Sequence, residues 1–420
     1  MYVTSLFKNE KGKIEPHLVL FFLNVFLVVL GYSLRGSSFQ VVKLLRVVLV
    51  VISLVRLSTN PGTYHYVFPG QQSWRLWVFI FLNLYVLAFS FDFMQSLNRI
   101  AAWLPFLIYI NYFIINLFRK YDIRTAQVKI LQMFHLCYIY PMLIVAIAGN
   151  PFQNKDIYGT DISGFKSNVI GWAGAMVFIT TLDVLANLQL SRTMRRIFIG
   201  LVFLSLIITA SSGSRSSYIS IAMTLLILVF QNQRLKFSSK FLISLLIVGG
   251  SFYVLQDENS AINKRIQKSE QQLKTGEARK ELLEAAIEVM EDHPLLLITG
   301  LGYDMSVEGI RAYKPIDNKL RLHNSYLEVL VSTGGFTFLF FMIFYVLNAI
   351  YSYVRYDMRT FVFLPTLIFI PAFESNLNAG QFLFFPWMTF LFFYIHYRSP
   401  QRLIVVPSEP TLQTTEAFHA

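Results

Sequence analysis

The chain has 420 residues, of which 55% are hydrophobic, 16% aromatic and only 14% charged. Soluble domains carry about 25% charged residues. Together with a mean hydropathy of +0.52, this excludes a disordered chain, a collagen-like chain and an ordinary cytosolic enzyme. It predicts an all-α fold: a polytopic membrane helix bundle. The formal net charge is +12, which need not mean nucleic acid, because membrane proteins collect Lys and Arg in their cytoplasmic loops.

The first apolar run, 18–34, follows Lys8, Lys11 and Lys13. Leu34-Arg35 is not a small-residue cleavage site, so the run reads as a span and not as a removed signal peptide. Eleven further runs approach membrane-spanning length: 39–57, 76–94, 100–118, 131–149, 169–187, 197–211, 216–230, 241–256, 336–354, 361–375 and 382–397. The second contains Lys43 and Arg46, which share a helix face. The seventh and eighth are short and joined by a tight turn. Cys137, the one cysteine, lies in the fifth run and reads as a small buried side chain; it excludes a disulfide framework and a multi-cysteine metal site.

Loop charges orient these spans. With the N-terminus inside, nineteen Lys and Arg residues fall on the cytoplasmic side, among them Arg119, Lys120, Arg124 and Lys129. The short external loops hold five: Arg35, Arg99, Lys155, Lys166 and Arg215. This asymmetry predicts twelve spans with both termini cytoplasmic. The resulting organisation is an N-terminal bundle over 1–256, an external loop over 257–335, C-terminal spans over 336–397 and a polar, disordered tail over 398–420.

The external loop, 257–324, is nearly neutral and too long to vote on orientation. Within it, 277–293 carries Leu282, Leu283, Ala286, Val289 and Met290 at helical spacing and ends before Pro294, which predicts an amphipathic helix lying over the bundle or the lipid surface. A long ordered loop on one face is where function concentrates.

Three local features carry possible chemistry. The turn 211–217 (SSGSRSS) places hydroxyls, free backbone N–H groups and Arg215 at the start of the eighth helix, with Ser214 as a candidate cap. Such a set can hold an anion. A guanidinium reaching for water explains Arg215 equally well on local features alone. Arg279 opens the amphipathic helix with no acid at pairing distance, and by itself reads as a solvated arginine. In 321–328 (RLHNSYLE), Ser325 and Glu328 form an S-x-x-E capping box, so a short helix begins near Ser325 and breaks at Thr333-Gly334-Gly335. His323 stands just ahead of that helix, whose dipole favours the neutral imidazole, the form able to accept a proton. Arg311, Lys314, Lys319 and Arg321 add positive charge before it. Gly300-Leu301-Gly302 lacks the context of a nucleotide-binding turn. The polar group 374–378 (ESNLN) could touch a sugar or simply join two spans. No HExxH, Cys/His cluster or acidic pair in the external loop points to a protein-bound catalytic metal.

Three pieces in this order resemble the O-antigen ligase and polymerase family, the membrane glycosyltransferases with a Wzy_C-type domain. They are the Gly-Ser-Arg turn at 213–215, the stretch 277–303 (EARKELLEAAIEVMEDHPLLLITGLGY) and 322–336 (LHNSYLEVLVSTGGF). One departure is visible. The family often has a second Gly three residues after the first, whereas here Gly334 is followed by Gly335, Phe336 and Thr337. The resemblance spans 197–354. It implies an inverting, metal- and cofactor-independent glycosyltransferase in the bacterial inner membrane, with its active site on the periplasmic face. Its donor would be a glycan carried on a polyprenyl (undecaprenyl) diphosphate. Its acceptor would be a second lipid-linked glycan in a polymerase, lipid A-core in a ligase, or a protein in an O-oligosaccharyltransferase. A polymerase would also have a chain-length regulator as a protein partner. Lipid bilayer surrounds the protein, and no nucleic acid is involved. Carried onto this sequence, Arg215 and Arg279 bind the diphosphate, His323 takes the acceptor proton, and Arg321, Asn324, Tyr326 and Arg311 position sugars. The absence of an acceptor-holding domain for a protein favours the polymerase. A lipid-linked sugar flippase is the alternative from another class; it would call for repeat symmetry between two halves, which the sequence lacks.

Overall fold

The structure, a computed structural model, describes residues 6–8, 12–31, 37–59, 74–121, 123–148, 167–212, 215–232, 234–256, 278–316, 322, 324–347 and 350. No strand occurs among the described residues apart from an isolated antiparallel bridge between Lys8 and Ile14. Nine helices follow one another through the first part: α1 Pro16–Gly31, α2 Ser37–Ser58, α3 Trp74–Ala88, α4 Phe93–Lys120, α5 Ile123–Ala148, α6 Ser167–Asn187, α7 Arg192–Ser212, α8 Arg215–Gln231 and α9 Phe237–Gln256. Four more follow: α10 Ala278–Asp292, α11 Leu296–Thr299, α12 Ser306–Tyr313 and α13 Ser325–Phe341. A π-helical turn, Met342–Leu347, continues α13.

Each of the first nine expected spans falls on a helix, and the tenth falls on the end of α13 and its continuation. The last two, 361–375 and 382–397, and the tail lie outside the described residues. Among the described residues, the 192–210 portion of α7 alone is long and apolar enough to cross a membrane by itself; α1, α6, α8, α9 and α13 hold shorter apolar stretches.

Three boundaries differ from expectation. The third and fourth spans do not meet at 95–99. Asp92 caps α4 by accepting from the Gln95 N–H at 2.9 Å, so the chain turns at 89–92 and Met94 belongs to the next helix. The seventh span is not short: α7 begins at Arg192 and has 21 residues. The amphipathic helix α10 does not lie over the bundle by its apolar face. Leu282, Ala285, Ala286, Val289 and Met290 close instead on Leu296, Leu301, Ile310, Leu322 and Val331, a small apolar cluster separate from the main core. Leu283, expected on that face, is exposed.

The main core lies among α1, α2, α4, α5, α6 and α7. Phe21 stacks on Phe113 at 3.9 Å, with Phe134 edge-on to the same ring. Close helix approach is set by small residues where α6 meets α7: a Cβ at Gly174 would press on Thr209 and on the Ser205 carbonyl. Polar side chains buried in this core pair across helices, as His135 Nε2 does with Thr181 Oγ1 at 2.9 Å and the Asn24 amide nitrogen with Ser53 at 2.9 Å. Cys137 is fully buried, as expected. Arg46 does not reach for water; it is buried within α2.

Helix α4 runs the height of the bundle. Arg99 in its second turn binds the external segment, and Tyr121 just beyond its end binds the N-terminal segment through Glu15. Twenty-two residues of helix separate them, about 33 Å at 1.5 Å per residue. That is close to a hydrocarbon layer of about 30 Å, and the two polar clusters lie at opposite ends of the helix.

Candidate functional site

The external cluster is assembled around two glycine positions. After α10 the chain turns at Pro294, forms the single turn α11, and enters Gly300-Leu301-Gly302. Gly300 has φ 73° and Gly302 φ 117°, the left-handed region that glycine reaches without strain. Gly334, at φ 73°, breaks α13 into two helices, at the place the sequence predicts. These two bends lie against each other. A Cβ on Gly300 would come within 2.5 Å of the Gly334 nitrogen, and one on Gly334 would collide with the Ile298 carbonyl. Two backbone bonds fix the contact: Leu301 N–H to the Val331 carbonyl at 3.0 Å and Gly302 N–H to the Ser332 carbonyl at 2.9 Å. The Gly-x-Gly that carries no nucleotide meaning is thus the seat for the kink of α13. The left-handed requirement is invisible in a two-glycine pattern until its partner is known.

The cluster is tied to the bundle at the α3–α4 corner. The Phe91 N–H bonds the Leu301 carbonyl at 3.2 Å. Gly302 has no room for a side chain because Ser90 and Ser96, themselves 2.6 Å apart, occupy it. Arg99 donates to the Asp304 backbone carbonyl and to Glu308 Oε1 at 2.9 Å, and its guanidinium lies 3.7 Å from Asp304 Oδ2. Sequence reasoning left Arg99 as one of five external charges. Its partners stand 205 and 209 residues away, and no local signal could name them. Burial first, and the Asp304 carboxylate second, push the Tyr303 phenol above its ordinary value, so it stays neutral.

The expected site residues fall as follows. Arg215 is the first residue of α8 and Arg279 the second of α10, as the sequence reading has them; of their side chains nothing is described. His323 and Arg321 lie outside the described residues. The positions flanking His323 are fixed: Leu322 is buried in the external cluster, and Asn324 caps α13 by accepting from the Leu327 N–H at 3.1 Å. The cap is therefore Asn324 and not the expected Ser325, which is the first helical residue and is buried. An asparagine caps as well as a serine, and its carbonyl oxygen is committed to the backbone. Tyr326 is half-buried and tilted against Phe341, 6.2 Å between ring centres. Arg311 sits in the last turn of α12, a helix packed on both α10 and α13. Its Nε and Nη2 are shut off from solvent with no hydrogen-bond partner, whereas neighbouring Lys314 pairs with Glu288. Buried guanidinium donors without an acceptor are costly, and an anion would satisfy them. The structure thus brings the helices bearing Arg279, Arg311, Asn324 and Tyr326 into one cluster.

Residues 200–342 match a family model, Wzy_C, described as O-Antigen ligase. This portion of the chain is similar to Wzy_C domains. The match runs from within α7 through α13, so all seven candidate residues lie inside it, while Arg99, which holds its external part to the bundle, lies outside. Wzy_C is a family of membrane proteins, and the match supports a glycan-transfer function at a membrane. No curated protein matches the chain.

Proposed function

We propose that the protein is an inverting polysaccharide polymerase that uses a polyprenyl-diphosphate-linked glycan as donor on the external face of the bacterial inner membrane. The observation that carries this reading is the Wzy_C match over a segment in which α10, α12 and α13 close into one cluster, with both neighbours of His323 fixed. In the reaction, the acceptor hydroxyl oxygen bonds to the anomeric carbon as the bond from that carbon to the diphosphate oxygen breaks. His323 accepts the hydroxyl proton. The diphosphate departs with the bonding pair, and Arg215 and Arg279 stabilise its charge. Arg311, with buried donors free, is the best supported of the positioning residues, ahead of Arg321, Asn324 and Tyr326. A ligase is the second reading, favoured because the matched family is described as O-antigen ligase.

Glycan profiling in a strain lacking the protein tests both. Polymerase function is supported if deletion leaves single repeat units and the native gene restores long chains. Accumulation of long chains on the lipid carrier, absent from lipid A, would replace it with the ligase. His323→Ala, inserted at native level, should behave like the deletion. Full activity from that variant would remove the proposed base and bring the flippase forward.

A further inference from the structure

The segment from Pro294 to Tyr303 (PLLLITGLGY) contains no charged residue. By sequence it belongs to the external loop, yet its exposed side chains are the wrong kind for water. Leu295 is 64% exposed, Leu297 46% and Ile298 44%. These residues lie against the kink of α13: a Cβ on Gly335 would meet the Leu297 carbonyl at 2.9 Å, and Gly334 abuts Ile298. From that point downward Phe336, Leu339, Ile343 and Leu347 follow one another along α13 and its π-helical continuation, spaced three or four residues apart and all exposed. Such a stripe on a spanning helix faces lipid. The exposed leucines of α11 continue it upward without a polar break.

The backbone gives a second, independent reason. Lipid offers no hydrogen bonds, so a non-helical segment at membrane depth must satisfy its own polar groups. Every N–H from Leu296 to Gly302 does so. Leu296 donates to His293, Leu297 to Pro294, Ile298 and Thr299 to Leu295, and Gly300 to Leu296, while Leu301 and Gly302 donate to Val331 and Ser332. The Thr299 hydroxyl also bonds the Leu295 carbonyl. A loop in water has no such need. Charge resumes just past Tyr303, where Asp304 meets Arg99.

We propose that residues 294–302 form a wedge inserted in the external leaflet of the bilayer, so that the external cluster is anchored in lipid as well as to the bundle. The occupant of this apolar face is the acyl-chain layer. The wedge would fix the depth of the cluster, and with it the height at which a lipid-borne substrate meets the site.

The test uses the full chain in vesicles of phosphatidylethanolamine and phosphatidylglycerol. Cys137, the sole cysteine, is replaced by Ala. Single cysteines are then introduced as L297C and I298C, with I343C on the stripe and E291C on the polar end of α10 as references, and each is labelled with a nitroxide. Positions 297 and 298 should match 343: reached by oxygen, with collisions from a water-soluble nickel chelate lost. Nickel accessibility like that of 291 would overturn the proposal by placing α11 in water. Protection from both reagents would overturn it by showing polypeptide, including a second copy of the chain, over the face. The measurement needs no glycan, so it stands apart from the transfer assay.

Discussion

The two ends of α4 carry polar clusters of different character. At the end expected to be cytoplasmic, Glu15 accepts from Tyr121 at 2.5 Å and pairs with Lys120, while Lys129 donates to the carbonyls of Leu6 and Lys8 at 3.0 Å each. Glu15 and Lys129 are buried. These bonds plug the bundle with the first residues of the chain. At the end expected to be external, Arg99 and Glu308 are partly exposed, and the segment they hold lies within the residues that match the Wzy_C model. One cluster ties the N-terminal segment to the bundle; the other holds the proposed site segment against it. Disrupting the first should cost stability without changing chemistry. Disrupting the second should cost activity beyond what stability explains.

The largest expected effect is at the external end. Gly334→Val places a branched side chain at φ 73° and against the Ile298 carbonyl. The backbone strain alone is about 1–3 kcal/mol, and the Gly300 seat must open as well. Glycan transfer should fall to the level of His323→Ala while the protein still inserts. Glycan chain length and thermal unfolding in detergent check this together. Near-native activity would mean that the kink does not set the site.

The contrast between the ends was only partly legible in the sequence. Apolar runs located the helices, because a membrane helix needs a continuous stretch and little else. Loop charges placed Arg99 and Lys120 on opposite sides. The break at Gly334 was legible because Thr-Gly-Gly interrupts an apolar run. The cap falls on Asn324 and not Ser325 because Asn-x-x-Leu and Ser-x-x-Glu are offset by a single residue, and the pattern cannot say which side chain turns inward. What sequence could not supply was pairing at long range: Arg99 with Asp304 and Glu308, Gly300 with Gly334, and Leu322 with α10. Each depends on two distant bends fitting, and neither bend specifies the other.

Glu15→Ala comes next. It strands the Tyr121 hydroxyl and the partly exposed Lys120, at a cost of about 1–3 kcal/mol. The melting temperature should drop, while transfer per folded molecule and glycan length at permissive temperature stay native. Arg99→Ala should cost less stability, about 1 kcal/mol, because its contacts are partly solvated. Yet it should lower transfer by about tenfold, since a small displacement of a site is amplified in rate. Measuring both variants for unfolding and for transfer gives the crossing pattern that the comparison requires. If Glu15→Ala loses activity as steeply as Arg99→Ala, the two ends are not functionally distinct.

The smallest effect on stability should come from Arg311→Met, and it is the most informative. Breaking a paired buried charge destabilises strongly, but removing one that has no partner relieves a penalty. Arg311 offers two buried, unpartnered donors, and methionine can fill the space of its stem. The melting temperature should therefore hold or rise slightly. If those donors serve an anionic part of the substrate, transfer should still fall, mainly through a raised KM for the lipid-linked donor, and Arg311→Lys should restore only part because a single ammonium cannot reproduce the forked donors. Retained stability with native KM would show that the buried guanidinium is a cost the external cluster carries without use. Lost stability would show that Arg311 is held by its surroundings after all, and that the external end, like the cytoplasmic one, spends its buried charge on structure.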